Sequence, residues 1–138
     1  MAVHTDYIDV ETGGKRSVVD LSQQLASIAS KSGVSDGLLT VFVPGSTAAL
    51  TTVEYEPGLV KDIDAFLERL LPYSEHYAHH ETWHDDNGAA HLQAALLGPS
   101  LTIPIVGGEL TLGTWQQPVL IDCDTRPRRR RLVVQILY

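Results

Sequence analysis

Residues 101–138 consist almost entirely of segments with strand character, and this feature constrains the fold more than any other. The segments are rich in Val, Ile, Leu and Thr, and turn signals at Gly107-Gly108 and around Pro127 separate them. Short turns join antiparallel neighbours, so the pattern predicts a mostly antiparallel sheet. The four segments are LTIPI, ELTLG, QPVLIDCD and RLVVQILY.

The first part of the chain adds four further strand-like segments. HTDYIDVET and KRSVVDLS flank Gly13-Gly14, which is a hairpin turn signal. GLLTVFVPG is a continuous apolar run bounded by glycines, which indicates a buried strand. ALTTVEYE alternates between apolar and polar residues, which indicates a strand with one solvated face.

Three segments have helical character, and a polar stretch separates the last two. DLSQQLASIASKSG has one apolar stripe, with Asp20 as a cap and Gly33 as a stop. LVKDIDAFLERLLP is amphipathic, residues 73–89 read as a long polar loop, and AHLQAALLG reads as a short helix. The sequence therefore predicts an α+β fold: one domain over residues 1–138, with two to three helices covering mostly antiparallel sheet.

The composition excludes several classes of protein. A net charge of −7 argues against a nucleic-acid binder, which needs a basic surface. No apolar run approaches the roughly 20 residues that span a bilayer, and the polar N-terminus does not resemble a signal peptide. The single Cys123 excludes an internal disulfide and a multi-cysteine metal site. A cytoplasmic protein without nucleic-acid or membrane partners is expected.

Five of the six histidines lie in residues 76–91, within HYAHHETWHDDNGAAH. Imidazole is the commonest transition-metal ligand, and Asp85 and Asp86 could complete a coordination shell. The spacing matches no established metal motif, so a metal site, an acid–base site and a solvated polar loop all remain open. Within this segment, Asp86 and Asn87 are candidates to orient an imidazole or to hold a magnesium-bound phosphate.

PGSTAALTTVE offers a second candidate site. Gly45, Ser46 and Thr47 follow the predicted buried strand, where backbone N–H groups and hydroxyls can turn toward an anion. The GK[ST] ending of a P-loop is absent, and a structural strand corner is the alternative. Glu54, further along, is a candidate general base or metal ligand, or else a solvated strand residue.

Two further segments carry candidate binding residues. In GTWQQP, Trp115 offers an aromatic platform and Gln116 a hydrogen-bonding amide, although packing explains such a pair equally well. TRPRRRR holds five of the ten basic residues. Alternate residues of a strand face opposite sides, so these arginines cannot all reach one ligand. One or two could bind phosphate, and the rest are expected in solvent or at a subunit contact.

Taken in order, these segments resemble the YjbQ family, also called the secondary thiamine-phosphate synthase family. The resemblance covers nearly the whole chain. Its motifs are GSTAALTTVE, the Tyr-x-His of residues 77–79, the Asn-x-x-x-His of residues 87–91, LLGPSLTIPI, and GELTLGTWQQPVLIDCDTRPRRRRLVVQI.

The resemblance implies a YjbQ-like α+β protein that forms a homotrimer, with a His/Glu/Gln-lined pocket at the subunit interface. The implied activity is thiamine-phosphate synthesis, which joins a hydroxymethylpyrimidine diphosphate to a thiazole phosphate and releases pyrophosphate. The implied catalytic residues are His79, His91 and Glu54, with His79 and His91 also the tentative ligands of a divalent metal, zinc or magnesium. The implied ligand-binding residues are Ser46, Thr47, Asp86, Asn87, Trp115 and Gln116.

The chain departs from the family pattern at its first motif. Many members read His-Thr-Thr/Ser-Ala there, with Asn just before the Glu, whereas this chain has Gly45 and Val53 at those positions. It resembles a branch with GSTAA. If three histidines are needed, His80 or His84 would have to replace the missing one. A non-catalytic homotrimer that binds a metal or small ligand is therefore the alternative function. A structural trimer with the arginine run as its contact ranks third.

Overall fold

The computed structural model describes residues 1–138, which form eight strands and four helices. None of the helices is both long enough and apolar enough to cross a membrane. The elements, in order, are β1 (Val3–Thr12), β2 (Ser17–Asp20), α1 (Ser22–Ser32), β3 (Gly37–Phe42), β4 (Ala48–Val53), α2 (Pro57–Leu70), α3 (Ala78–Trp83), α4 (Gly88–Leu97), β5 (Ser100–Val106), β6 (Glu109–Leu110), β7 (Gln117–Asp122) and β8 (Arg128–Leu137).

The strands form two antiparallel sheets. The larger has the order β1-β8-β3-β5-β6, and the smaller has the order β2-β7-β4. Every pair of neighbouring strands is antiparallel. The predicted α+β class is confirmed, and the structure has four helices where the sequence predicted two to three.

The predicted hairpin between the first two strands is wrong. β1 pairs with β8 in the large sheet, whereas β2 pairs with β7 in the small one. Gly14, Lys15 and Arg16 have φ values of 66°, 48° and 65°. Three successive left-handed residues turn the chain from one sheet to the other instead of folding it back. A side chain at Gly14 would collide with the Arg126 carbonyl, so glycine is required there.

The main core lies between the large sheet, helix α1 and the inner face of the small sheet. In the C-terminal half of β1 and of β8, every second residue is buried, as expected for strands with one covered face. The predicted stripe of α1 is confirmed by the burial of Leu21, Leu25, Ile28 and Ala29. Burial of a leucine of this kind stabilises the fold by about 1.5–3 kcal/mol.

A smaller core lies on the opposite face of the small sheet. There Ala90 of α4 packs against Val119, Ile121 and Cys123 of β7 and its extension. Helix α2 contributes less than its amphipathic pattern suggests, because only Leu67 is fully buried. Phe66 and Leu70 of the predicted stripe are each 51% exposed.

The predicted polar loop at residues 73–89 is wrong in part, because residues 78–83 form helix α3. The helix has only six residues, none of them buried, so it has no apolar periodicity to reveal it. It begins after Tyr77, which has extended backbone angles, and it ends at His84 with φ 55°. Local capping defines this helix, and the turn after it leads directly into α4.

Candidate functional site

Helices α3 and α4 bring two of the predicted histidines together. The imidazole rings of His79 on α3 and His91 on α4 lie 4.4 Å apart between centroids, tilted by 39°. Nδ1 of His79 lies 3.0 Å from Oδ1 of Asp85, in the turn between the helices. A carboxylate can only accept a hydrogen bond, so this contact fixes the tautomer with a proton on Nδ1. Nε2 of His79 is then the free basic nitrogen.

The environment of His91 favours its neutral form. Partial burial lowers the pKa of His91, and the neighbouring His79 lowers it further, against the opposing charges of Asp124 and Asp85. Two imidazoles in contact resist carrying two positive charges. The pair therefore combines a histidine held by a carboxylate with one that releases its proton readily, which is a usual arrangement for acid–base chemistry.

His80 connects the two helices. Its Nε2 accepts a hydrogen bond of 3.0 Å from the N–H of Gly88, the first residue of α4. A Cβ at position 88 would lie 2.7 Å from Cβ of Tyr77 and 3.0 Å from Nε2 of His80. Only glycine allows this close approach. The contact holds α3 against the start of α4 and so sets the spacing of His79 and His91.

The other two histidines of the segment are exposed. His76 lies 3.2 Å from Glu81 with a side chain that is 67% exposed, and His84 occupies the left-handed end of α3. Neither contacts the His79–His91 pair. Because Nε2 of His80 accepts the hydrogen bond from the N–H of Gly88, no hydrogen bond in the chain orients the His80 ring toward a ligand.

A buried ionic cluster lies beside the histidine pair. Arg130 donates from Nε and Nη2 to the two carboxylate oxygens of Asp122, at 2.9 Å each. Nη2 also donates to the Thr47 hydroxyl at 2.7 Å, and that hydroxyl donates to Asp124 at 2.9 Å. Arg128 completes the cluster through an ion pair of 2.9 Å with Asp124. Asp122, Asp124 and Thr47 are buried.

The cluster keeps Asp124 ionised. Burial raises the pKa of Asp124, but hydrogen bonds from the Thr125 N–H and the Thr47 hydroxyl, together with the charge of Arg128, hold it below its usual value. The Asp122 hydrogen bond raises the pKa of Arg130. The charge of Asp124 in turn acts on His91, so the cluster and the histidine pair are electrostatically connected.

The sequence patterns did not identify this cluster. Its one signal was the segment IDCD, which places Asp122 at the end of an otherwise apolar strand and Asp124 two residues later. Buried carboxylates need paired cations, and alternation places Arg128 and Arg130 on the same face of β8. The expectation that the arginines divide between faces is confirmed, since Arg131 on the other face pairs with Asp9.

Other predicted site residues lie near this end of the small sheet. Asp86 accepts a hydrogen bond of 3.2 Å from the Thr125 hydroxyl, which ties the turn after α3 to the segment after β7. Asn87 precedes α4, and its Oδ1 is buried without a partner. Ser46 is exposed beside the buried Thr47. It is Asp85, not Asp86 or Asn87, that contacts an imidazole.

Glu54, Trp115 and Gln116 lie at the opposite end of the small sheet. The β4–β7 register pairs Ala48 with Asp122 at one end and Val53 with Gln117 at the other, about 17 Å apart at 3.4 Å per residue. Gln116 donates to Thr52 and accepts from the Gly113 N–H, while Trp115 is 74% exposed. Within one chain, the predicted residues therefore form two groups.

Two surface grooves lie away from the histidine pair. One of about 830 Å³ runs between β1 and α1, and one of about 620 Å³ runs between α1 and the β5–β6 turn and includes Gln116. Chemistry, not groove size, identifies the histidine site. No group of three or more His, Cys, Asp and Glu side chains in the chain is arranged to hold a metal ion.

Comparison with known proteins gives consistent results. A family model described as "UPF0047 protein YjbQ-like" matches residues 6–138. A UPF0047 protein of Archaeoglobus fulgidus is 38% identical over 130 residues, covering 94% of this chain and 98% of the relative. A UPF0047 protein of Mycobacterium tuberculosis is 40% identical over 127 residues, covering 91% and 92%.

Solved structures of similar proteins have the same fold. A YbjQ-like protein of unknown function from Sulfolobus solfataricus P2 superposes with a TM-score of 0.92 at 36% identity, covering 98% of this chain and 96% of the other. A hypothetical protein from Aeropyrum pernix K1 superposes with a TM-score of 0.90 at 35% identity, covering 97% and 98%.

Proposed function

This chain belongs to the UPF0047 YjbQ-like family, and from that premise we propose that it is an enzyme acting on a phosphorylated small molecule. His79 and His91 would be its acid–base pair. The observation that carries the proposal is the contact of the two rings at 4.4 Å with Asp85 on Nδ1 of His79. The Asp85 contact leaves Nε2 of His79 free to exchange a proton with a substrate.

The pair suits a reaction in which a phosphate or diphosphate leaves. An imidazolium can stabilise the departing anion and give it a proton, and a neutral imidazole can take a proton elsewhere in the cycle. The lowered pKa of His91 supports this division, because one ring of a close pair holds a proton more readily than the other.

Thiamine-phosphate synthesis is the specific reaction that we propose, on the strength of the YjbQ resemblance. The GSTAA branch to which we assign the chain supports the second candidate instead, because Gly45 replaces a histidine of the family motif. The bond between the pyrimidine methylene carbon and the diphosphate oxygen breaks, and the thiazole nitrogen forms the new bond to that carbon. The diphosphate leaves with its electron pair as pyrophosphate. His79 or His91 would protonate it.

A divalent metal is part of the second candidate, a non-catalytic homotrimer that binds a metal or small ligand. The fit within one chain is incomplete. Two imidazoles face each other, but a catalytic zinc site needs three protein ligands, and Gly45 stands where many relatives have histidine. We therefore derive no step through a metal. The histidine replaced by Gly45 and the asparagine replaced by Val53 favour this candidate. The division of the predicted residues into two groups fits both candidates, because a site between subunits could unite Glu54, Trp115 and Gln116 with the histidines in either.

The experiment compares product formation from the two thiamine precursors by three purified proteins. We expect product with wild type and a loss of about 100-fold or more in His91→Gln, as is typical for an acid–base residue. His76→Gln is the matched control, because it removes an exposed histidine of the same segment. Absence of product with folded wild type, or equal rates in both variants, would reject the proposal. Elemental analysis and light scattering of the same samples test the metal and the trimer.

A further inference from the structure

The loop between β3 and β4 presents three consecutive backbone donors without partners. The N–H groups of Gly45, Ser46 and Thr47 donate to no acceptor in the chain, and the Ser46 hydroxyl also makes no hydrogen bond. Gly45 and Ser46 are exposed, but Thr47 is buried, and an unpaired N–H in a buried residue is unusual because nearly all buried backbone N–H groups are paired. Successive unpaired N–H groups can together bind an anion where the turn conformation points them to one side.

Arg130 adds a fourth donor to this loop. Its side chain is 11% exposed, and Nε and Nη2 are fully used by Asp122 and Thr47. Nη1 makes no hydrogen bond within the chain. A Cβ at position 45 would lie 3.0 Å from Nη1, which shows that this nitrogen faces the space where a side chain would begin. Glycine leaves that space open.

We propose that the Gly45–Thr47 loop and Nη1 of Arg130 bind a phosphate group, and that Gly45 determines this specificity. The inference rests on the proposed function in one respect, since it names the part of the site that would hold the ligand's phosphate. The planar guanidinium and the row of N–H groups supply donors from two directions, as phosphate oxygens require. The Thr47 hydroxyl is not a donor to the ligand, because its proton is held by Asp124.

The charges near the loop predict how binding responds to salt. The positive charge of Arg130 is balanced by Asp122 beside it, and that of Arg128 by Asp124. Directed hydrogen bonds, more than net charge, would therefore hold the phosphate. Binding at this loop should depend weakly on ionic strength, whereas adsorption to the exposed arginines would decline steeply as salt is raised.

The test is calorimetric titration of inorganic phosphate and pyrophosphate into the full chain at two salt concentrations. Replacing Arg130 would leave Asp122 buried without a cation, so the variant used is Gly45→Ala. Its Cβ would lie 3.0 Å from Nη1, so Nη1 must give way by a few tenths of an ångström, which the other hydrogen bonds of Arg130 resist. Gly33→Ala is the control for backbone strain: φ is 155° at Gly45 and 72° at Gly33, so alanine is unfavourable at both, but Gly33 has open space around its missing Cβ. Arg129→Gln removes one exposed charge as a second control.

We expect wild type, Gly33→Ala and Arg129→Gln to bind phosphate alike, and Gly45→Ala to bind about tenfold more weakly, as for the loss of one charge-assisted hydrogen bond. Equal binding by Gly45→Ala, no binding by wild type, or loss in Arg129→Gln would overturn the inference. His91→Gln separates it from the proposed enzyme: phosphate binding retained there, without turnover of thiamine precursors by wild type, leaves this inference standing and rejects the activity.

Discussion

The hydroxyl of Thr47 joins the two halves of the buried ionic cluster, and its removal is a sensitive test of that cluster. Thr47→Val keeps the shape of the side chain but deletes the hydrogen bonds to Asp124 and from Arg130. Asp124 and Arg130 both keep other contacts, so each lost hydrogen bond should cost about 1.5 kcal/mol, the lower end of the range for hydrogen bonds to charged groups. The free energy of unfolding should fall by about 3 kcal/mol, a large part of the total of roughly 5–15 kcal/mol.

Urea denaturation at pH 7 measures this change. At a slope of about 2 kcal/mol per molar, the midpoint should fall by about 1.5 M with an unchanged slope. Thr40→Val is the matched control, because the Thr40 hydroxyl contacts only Thr102 on the open face of the large sheet. Its effect should stay within about 0.5 kcal/mol. If both variants lose the same small amount, the hydroxyl of Thr47 does not hold the cluster together.

The pH dependence provides a second readout. The pKa of Asp124 is lower in the folded chain than in the unfolded one, so its contribution is present above the ordinary Asp value of about 3.9 and is lost as pH falls through the lowered value. Thr47→Val raises the folded pKa. The difference between wild type and variant should therefore shrink below about pH 4. A difference that stays constant from pH 7 to pH 3 would refute the assigned hydrogen bond.

Three further predictions concern the histidine pair. Gly88→Ala should lower the free energy of unfolding, measured by urea denaturation, by about 1–3 kcal/mol, because the new Cβ collides with Tyr77. Alanine is the better helix former, so a gain in stability would contradict the tight contact. In NMR titrations, His79→Gln should raise the pKa of His91, because it removes a repelling positive charge. Asp85→Asn should lower the pKa of His91, because it removes an attracting negative charge. Shifts of the same sign would disprove the assigned environment. The pKa of His91 is lower in the folded chain than in the unfolded chain, so the stability of wild type should decline as pH falls from about 6.5 through that lowered value. His91→Gln should remove this decline. An identical pH profile for the two proteins would show that His91 does not titrate in this range.

The elements that periodicity describes could be predicted from the sequence. The stripe of α1 follows from burial of one face, and its periodicity predicted it. The alternation predicted for ALTTVEYE is wrong, because Ala48, Ala49 and Leu50 of β4 are all buried: the main core covers one face of the small sheet and α4 the other. The strand at residues 37–42 was recognised too, but its continuous apolar run suggested burial on both faces. Leu38 and Phe42 are in fact 45% and 43% exposed, because only one face of the large sheet is covered.

The remaining features depend on contacts between residues distant in sequence. The Gly13-Gly14 pair predicted a hairpin, but pairing with β7 and β8 at the far end of the chain decides where β1 and β2 lie. At the site, the choice of His79 and His91 as candidate residues came from the family resemblance. Their contact depends on a helix without apolar periodicity and on the His80–Gly88 hydrogen bond, which no local pattern encodes.

The proximity of Arg130 Nη1 to the missing Cβ of Gly45 also has an evolutionary consequence. A side chain at position 45 and a long, fixed guanidinium from position 130 compete for the same volume. A mutation at either position therefore has a different effect depending on the residue at the other. Among homologous sequences, these two positions should coevolve, with bulky residues at 45 accompanied by shorter or displaced ones at 130. Replacing one position alone would pass through a poorly packed intermediate, which restricts the mutational routes by which this pair of residues can change.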